Sequence, residues 1–179
     1  SKLAVALQIP FFYIGKLFVP VGLSTEYHIG FNRQLLSTTG IFAFLILASM
    51  LIFTYRFKEK LPQVLFSLLW FLICLIPVSN IFLTNPVVAD RYAYLSSFAF
   101  AYLLAIVLFW GGKKINPSFY SFLLIPVLAV YSWLSFEQNE VWRTNFSVME
   151  NMTGPSSNRT KGYNGIGQIY LDKKQFTKA

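Results

Sequence analysis

Three features of the sequence predict an all-α fold, organised as a polytopic bundle of membrane-spanning helices. The 179 residues are 55% hydrophobic and only 12% charged, more apolar surface than a soluble domain of this length can bury. Four uncharged apolar runs lie at about 39–55, 61–83, 93–110 and 119–136. Each is close to the ~20 residues that a helix needs to cross ~30 Å of hydrocarbon, where backbone amides must be paired within the helix.

The N-terminal segment, residues 1–34, is also apolar but is interrupted by Pro10, Lys16 and Pro20. Proline removes a helical hydrogen-bond donor, and a lysine is costly at the middle of a membrane. We therefore expect one or two short helices at the outer interface. A kinked fifth span is the alternative.

The basic residues between the runs predict the orientation. The loops at 56–60 and 111–114 contain five basic residues together, whereas the loop at 80–92 contains only Arg91. By the positive-inside rule, the first and third loops are cytoplasmic, and the middle loop and both chain ends are extracytoplasmic. The predicted location is a bacterial inner membrane or the endoplasmic reticulum. Membrane lipid is then one partner.

The membrane domain should end near residue 136, because 137–157 is polar and ends in a Gly-Pro turn. We interpret 137–157 as an extracytoplasmic linker. It and the following residue carry three N-x-S/T tripeptides, at Asn145, Asn151 and Asn158, which agree with that side of the membrane.

Residues 158–179 have the spacing of a tetratricopeptide repeat. Its pattern of aromatic, aliphatic and small residues is met by Tyr163, Ile166, Gly167, Tyr170 and Ala179. This predicts a helix from about Asn158 to Leu171, a turn, and a second helix starting near Lys174. An ordinary amphipathic hairpin is the alternative. Because one repeat cannot bury its apolar face, we expect further repeats downstream, and hence a chain that is part of a longer polypeptide.

Several classes of function are disfavoured. The formal net charge is +8, but the basic residues form no single stripe with stacking aromatics, so we predict no nucleic-acid partner. No cluster of Cys, His and carboxylates has metal-ligand spacing, and we predict no protein metal site. His28 with Glu26 could bind a divalent cation or an acceptor sugar, although a surface position on an outer turn is the favoured interpretation. No other cofactor is indicated.

The best candidate for chemistry is the start of the third run. Asp90 and Arg91 stand next to a long apolar span, and ionisable groups in such a position mark a substrate path, an ion pair or an interfacial anchor. The planar fork of Arg91 suits a phosphate, and Tyr92 and Tyr94 could stack on a sugar. The alternative is that both charges simply end the helix in water.

These residues also carry a resemblance to a family. The chain contains Pro77-Val78-Ser79-Asn80, then Ala89-Asp90-Arg91-Tyr92-x-Tyr94-Leu95-x-Ser97, and earlier Pro20-x-x-Leu23-Ser24-x-Glu26-Tyr27. This order resembles the TMTC-type O-mannosyltransferases and their bacterial relatives, membrane proteins that carry tetratricopeptide repeats. Asp90 replaces the usual Glu of the motif, and Ser96 replaces the usual Pro.

The resemblance implies a GT-C glycosyltransferase. Such an enzyme transfers a sugar from a polyprenyl- or dolichyl-phosphate donor to a protein or glycan hydroxyl outside the cytoplasm. Its catalytic base is expected in an outer loop upstream of this chain, so no catalytic residue is assigned. Arg91 is expected to contact the lipid phosphate and Asp90 to orient Arg91, pairing with it in the empty site. Tyr92, Tyr94 and Asn80 would line the site, and the repeats would bind acceptor proteins.

Two other functions stay open. One is an outer-face ligase or polymerase of lipid-linked glycans, which would use the same membrane geometry. The other is a non-catalytic membrane anchor whose repeats recruit partners. The upstream sequence would discriminate among the three, because an acidic pair in a large first outer loop favours the glycosyltransferase.

Overall fold

The computed structural model describes residues 2–31, 34, 36–79, 88–115, 117–155 and 157–173. Within these residues the chain is all-helical, and the only extended pairing consists of isolated bridges from Tyr27 to Val88 and to Ser157. The helices are α1 (Lys2–Phe18), α2 (Thr38–Arg56), α3 (Pro62–Leu75), α4 (Tyr94–Ile115), α5 (Pro117–Val141), α6 (Asn145–Asn151) and α7 (Arg159–Asp172); a single 3-10 turn, Asp90–Ala93, leads into α4.

Two helical stretches are long and apolar enough to cross a membrane among the residues described. They are α2 and the stretch Asp90–Gly111, each with a mean hydropathy of 1.9. Only 17% and 11% of these stretches is buried inside the protein, whereas the core helix of a soluble protein would be mostly buried. They indicate membrane association. The number of spans and their orientation remain predictions.

Helix α3 is shorter than the apolar run that contains it. The run predicts a span over 61–83, but the helix ends at Leu75 and turns follow to Ser79, while 80–83 lie outside the described residues. Fourteen residues rise about 21 Å, less than the ~30 Å of a hydrocarbon core. The early end agrees with Pro77, because proline has no backbone N–H to donate to the Ile73 carbonyl. Ile76 still has helical dihedral angles, and the chain then continues in turns.

Aromatic contacts show that α3 and α4 run antiparallel. The ring centroids of Trp70 and Phe98 lie 5.8 Å apart, and those of Phe66 and Tyr102 lie 6.1 Å apart. Residue numbers therefore increase along α4 in the direction in which they decrease along α3. Trp70 Nε1 also donates to the Leu95 carbonyl at 3.0 Å. The start of α4 therefore lies beside the C-terminal end of α3.

The buried core lies under the start of α4 and is built largely on α1. Ile9 and Tyr13 of α1 are 0% and 1% exposed. They cluster with Val5 of the same helix and with buried side chains from the loops, α3 and α4, namely Tyr27, Val88, Phe71, Leu75 and Ala99. Helix α1 continues through Pro10 as one 17-residue element. Residues 2–18 of the N-terminal segment thus form a single helix packed into the core, and residues 19–31 are not helical. Whether the segment lies at a membrane interface stays a prediction.

The predicted linker, 137–157, is largely helical. Helix α5 continues to Val141, beyond the expected end of the fourth run, and α6 begins after Thr144. Thr144 and Ser147 form a capping box, in which each side chain bonds to the other's backbone N–H.

Helix α7 lies where the repeat pattern predicts its first helix, and it packs on α6. The rings of Phe146 and Tyr170 lie 6.1 Å apart, edge to face. A Cβ added to Gly162 would lie 2.8 Å from the backbone carbon of Met152, so only glycine allows this approach. The expected second helix, from Lys174 to Ala179, lies outside the described residues, and the repeat itself stays a prediction.

Candidate functional site

Three segments of the chain meet at the start of α4. We call this meeting point the loop junction: residues 24–27 after α1, 88–92 before α4, and 157–161 at the start of α7. The backbone N–H of Tyr27 donates to the Val88 carbonyl at 2.7 Å, and that of Asn158 donates to the Glu26 carbonyl at 3.1 Å. The segment after α1 therefore lies between the starts of α4 and α7.

Tyr27 connects this segment to the Asp90 carboxylate. Its hydroxyl donates to Asp90 Oδ1 at 2.6 Å, and its side chain is buried. Burial, and then the hydrogen bond to Asp90, raise the pKa of Tyr27 well above its usual range, so the phenol stays protonated and remains a donor. Asp90 Oδ2 is buried without a hydrogen-bond partner among the residues described.

The expected pairing of Asp90 with Arg91 is wrong. Asp90 bonds to Tyr27, whereas Arg91 Nη1 donates to the Thr25 carbonyl at 3.1 Å and Nη2 donates to the Tyr92 hydroxyl at 3.3 Å. No ion pair joins Asp90 to Arg91 in the described part of the chain. Successive side chains on a 3-10 turn point about 120° apart, so the carboxylate faces the core while the guanidinium is exposed.

The other predicted site residues are not all brought to Arg91. Tyr92 is half-buried, and the Arg91 guanidinium carbon lies 4.8 Å from its ring centroid. Tyr94 is 80% exposed and does not line the cavity that Arg91 lines. Asn80 lies outside the described residues. The structure thus places Tyr92 beside Arg91, although neither tyrosine is among the residues that line this cavity. Their expected roles stay predictions.

His28 and Glu26 do not face one another across a metal-sized site. His28 is exposed and lines a mostly apolar groove with Tyr27 and Val88, whereas Glu26 lines the cavity of Arg91. Among the residues described, no group of three or more His, Cys, Asp or Glu side chains could hold a metal ion.

The cavity beside Arg91 is an open cleft between the loop junction and the α6–α7 pair, which we call the junction cleft. Its volume is about 410 Å³. One side is apolar and the other is charged, with lining residues Thr25, Glu26, Arg91, Val148, Met149, Met152, Lys161 and Gly165. Such a mixed lining suits a ligand with an anionic head and an apolar part.

Glu26 is bound on both carboxylate oxygens. Lys161 Nζ lies 2.7 Å from Oε2, and Asn158 Nδ2 donates to Oε1 at 3.0 Å. Partial burial opposes ionisation of Glu26, but the hydrogen bonds from Lys161 and Asn158, helped by the charge of Lys161, lower its pKa overall. Glu26 is therefore ionised at neutral pH, and with Arg91 and Lys161 it leaves the cleft one net positive charge.

Two serines fix the contact between the loop after α1 and the start of α7. Ser157 Oγ donates to Ser24 Oγ at 2.7 Å, and both residues are buried. Ser24 Oγ in turn donates to the Glu26 carbonyl at 3.1 Å. This places the carboxylate of Glu26 within reach of Lys161.

Sequence reasoning missed the roles of Glu26, Tyr27, Asn158 and Lys161. Glu26 and Tyr27 do belong to the segment that resembles the family motif, but nothing in that segment indicates their partners. Lys161 lies 135 positions from Glu26 along the chain, and only the fold brings the two together.

Comparison of the chain with protein-family models, curated proteins and solved structures gave no match. Any function must therefore be argued from the residues themselves. The features available for that argument are the Arg91 fork, the charged wall of the junction cleft and the apolar helices beside it.

Proposed function

We propose that this chain is part of an integral-membrane glycosyltransferase of the GT-C type, which uses a polyprenyl- or dolichyl-phosphate sugar as its donor. The observation that carries the proposal is the placement of Arg91. Its guanidinium lies at the start of an apolar helix, is exposed, and lines a cleft with an apolar wall and a net positive charge. A lipid phosphate needs an anion site of this kind directly above the hydrocarbon.

The transfer reaction needs two groups from the protein, a general base and a cation for the departing phosphate. An acceptor hydroxyl oxygen forms a bond to the anomeric carbon of the sugar, and the bond from that carbon to the phosphate oxygen breaks. The electron pair of the broken bond goes to the phosphate, and the hydroxyl proton goes to a general base, which the family resemblance places upstream of Ser1. Arg91 would bind the phosphate and stabilise the charge that it gains.

Hydrogen bonds within the protein orient Arg91 for phosphate binding. Thr25 and Tyr92 accept from its two terminal nitrogens, which orients the guanidinium before a ligand arrives. Both contacts use only part of the five donors of an arginine, so others stay available to phosphate oxygens. Tyr27 would act indirectly, because its bond to Asp90 fixes the turn from which Arg91 projects.

The test is sugar transfer by the purified full-length protein in proteoliposomes, with polyprenyl-phosphate mannose as donor. We expect Arg91→Ala to lower kcat/KM by about 100-fold or more, the loss typical of removing a donor to a developing anion. Arg91→Lys keeps the charge but loses the fork, so its loss should be smaller. The control is Arg143→Ala, since Arg143 is exposed and pairs only with the nearby Glu140 among the described residues. Sugar transfer by Arg91→Ala at the parental rate would contradict the proposal. Arg91 would then be a solvated charge at the end of a helix, with no role in phosphate binding.

The remaining parts of the proposal follow from the resemblance. The protein would reside in a bacterial inner membrane or the endoplasmic reticulum, with α6 and α7 on the extracytoplasmic side. A tetratricopeptide array beginning at α7 would bind the acceptor protein and present its hydroxyl to the junction cleft.

A further inference from the structure

We propose that Lys161 is a second phosphate-binding residue of the junction cleft, and that Glu26 holds it until the ligand arrives. This inference rests on the proposed function and extends it from one cation to two. On ligand binding, the Lys161 ammonium would leave Glu26 for a phosphate oxygen, opposite the guanidinium of Arg91.

The positions of the three charges carry the argument. Arg91, Lys161 and Glu26 line one cleft, although they come from three segments that are far apart in sequence. Arg91 also helps to keep the Glu26 carboxylate charged, which places the two side chains within electrostatic range of each other. A phosphate that reaches Arg91 therefore enters the surroundings of the Lys161–Glu26 pair.

The pair is built so that it can exchange partners. The Lys161 side chain is 58% exposed, and an ion pair with such access to water contributes little stability. The Glu26 side chain is only 16% exposed, but it would keep its hydrogen bond from Asn158 after Lys161 departs. Release of Lys161 thus does not leave a buried carboxylate without a donor.

Charge balance matches the ligand before and after transfer. The donor is a phosphodiester with one negative charge, equal and opposite to the net charge of the three side chains. The lipid phosphate that remains after transfer is a monoester, which carries between about 1.5 and 2 negative charges at pH 7. A second cation therefore becomes more valuable as the bond to the sugar breaks, which is the condition for lowering the barrier.

The position of Lys161 also gives the exchange a structural consequence. It lies in the first turn of α7, two residues after the helix begins at Arg159. Asn158, which caps this helix, is the second donor to Glu26. Binding of the phosphate would therefore change the contacts at the start of α7, the first helix of the predicted repeat.

The test measures binding of polyprenyl monophosphate to the full-length protein in detergent. Lys161→Gln should weaken binding by about 10-fold, as expected for one charge-assisted hydrogen bond. Glu26→Gln should strengthen binding by a few-fold, because it frees Lys161 and keeps the contact with Asn158. Lys173→Gln, at the other end of α7, is the matched control and should leave binding unchanged.

The double variant separates partner exchange from a general effect of charge. If Glu26 acts by holding Lys161, the gain from Glu26→Gln should shrink when residue 161 is glutamine. A gain of the same size in both backgrounds, or parental binding by Lys161→Gln, would overturn the inference. If Arg91→Ala weakens binding while Lys161→Gln does not, only this inference fails; if neither weakens binding, the proposed function fails with it.

Discussion

The loop junction and the turn between α2 and α3 both carry charge at the end of an apolar helix, but they use it differently. In the turn, Lys58, Glu59 and Lys60 are exposed, and the contact seen for Lys58 is with the ring of the nearby Tyr55, 4.6 Å from its ammonium. In the junction, Glu26 and Asp90 bond to side chains more than 60 positions away. Charged side chains that are held by long-range contacts are candidates for a binding site. Charged side chains that contact only water and their sequence neighbours bear instead on the orientation of the helices in the membrane.

Cavity size does not separate the two regions. The turn borders a larger space, about 680 Å³, but every lining residue falls within the six consecutive positions 55–60. The junction cleft is smaller and is lined by four separate stretches of the chain: 25–26, 91, 148–152 and helix α7 at 161 and 165. A site that positions a ligand needs groups fixed relative to one another, and a single turn offers only its own flexible side chains.

The sharpest way to break the comparison is to show that both regions lie on one side of the membrane. We expect cysteine at His28 to react with an impermeant maleimide from the extracytoplasmic side, and cysteine at Lys58 only from the cytoplasmic side. Cys74 is replaced by serine first, since it is the native thiol. Labelling of both positions from the same side would contradict the predicted orientation. It would also show that the loop junction and the turn between α2 and α3 do not lie on opposite sides of the membrane.

The next effect concerns stability at the junction. Tyr27→Phe removes the donor to Asp90 Oδ1 and leaves this largely buried carboxyl group without its phenol partner, while Oδ2 already has no partner among the described residues. We expect the free energy of unfolding to fall by about 1–3 kcal/mol, the cost of stranding a buried polar group. Tyr163→Phe is the control, because Tyr163 is 63% exposed. Equal stability of the two variants in a denaturant titration would show that the bond does not stabilise the junction.

A smaller effect should appear in the pH dependence of stability. The pKa of Glu26 is below its ordinary value of 4.5, so its stabilising contribution is present at neutral pH and is lost as the pH falls through the folded-state pKa. The contribution should be below about 1 kcal/mol, because its partner Lys161 is exposed to water.

The measurement is the midpoint of thermal unfolding at pH 7 and at pH 3. The parental protein should lose more of its thermal stability between these pH values than Glu26→Gln does. Glu59→Gln, in the turn between α2 and α3, should behave as the parental protein. Identical pH profiles for the parental protein and Glu26→Gln would contradict the assigned role of the carboxylate.

The sequence pattern predicted helices well where consecutive residues alone determine the structure. The first and third apolar runs match α2 and α4, because hydrophobic length is a property of consecutive residues. The helix predicted at 158–171 matches α7 for the same reason. The end of helix α3 at Leu75, before the end of its apolar run, does have a local signal, since Pro77 lies inside that run.

The arrangement of the candidate site could not be predicted in this way. Asp90 and Arg91 are neighbours in sequence, which suggested a pair, but the direction of Asp90 depends on Tyr27, 63 positions away. The place of Lys161 in the cleft depends in turn on the packing of α7 against α6 and on the contact of Ser157 with Ser24. Such contacts depend on the fold, and a single sequence contains no pattern that predicts them.

Photo-crosslinking tests most directly whether the lipid phosphate enters the junction cleft. p-Benzoylphenylalanine is placed at Val148, on the apolar wall of the cleft, or at Lys58 in the turn between α2 and α3. On irradiation with radiolabelled polyprenyl phosphate, we expect the protein modified at position 148 to be labelled. Excess unlabelled ligand and the Arg91→Ala change should each suppress that label. Labelling at position 58 as strong as at 148, or labelling at 148 that survives Arg91→Ala, would contradict the account.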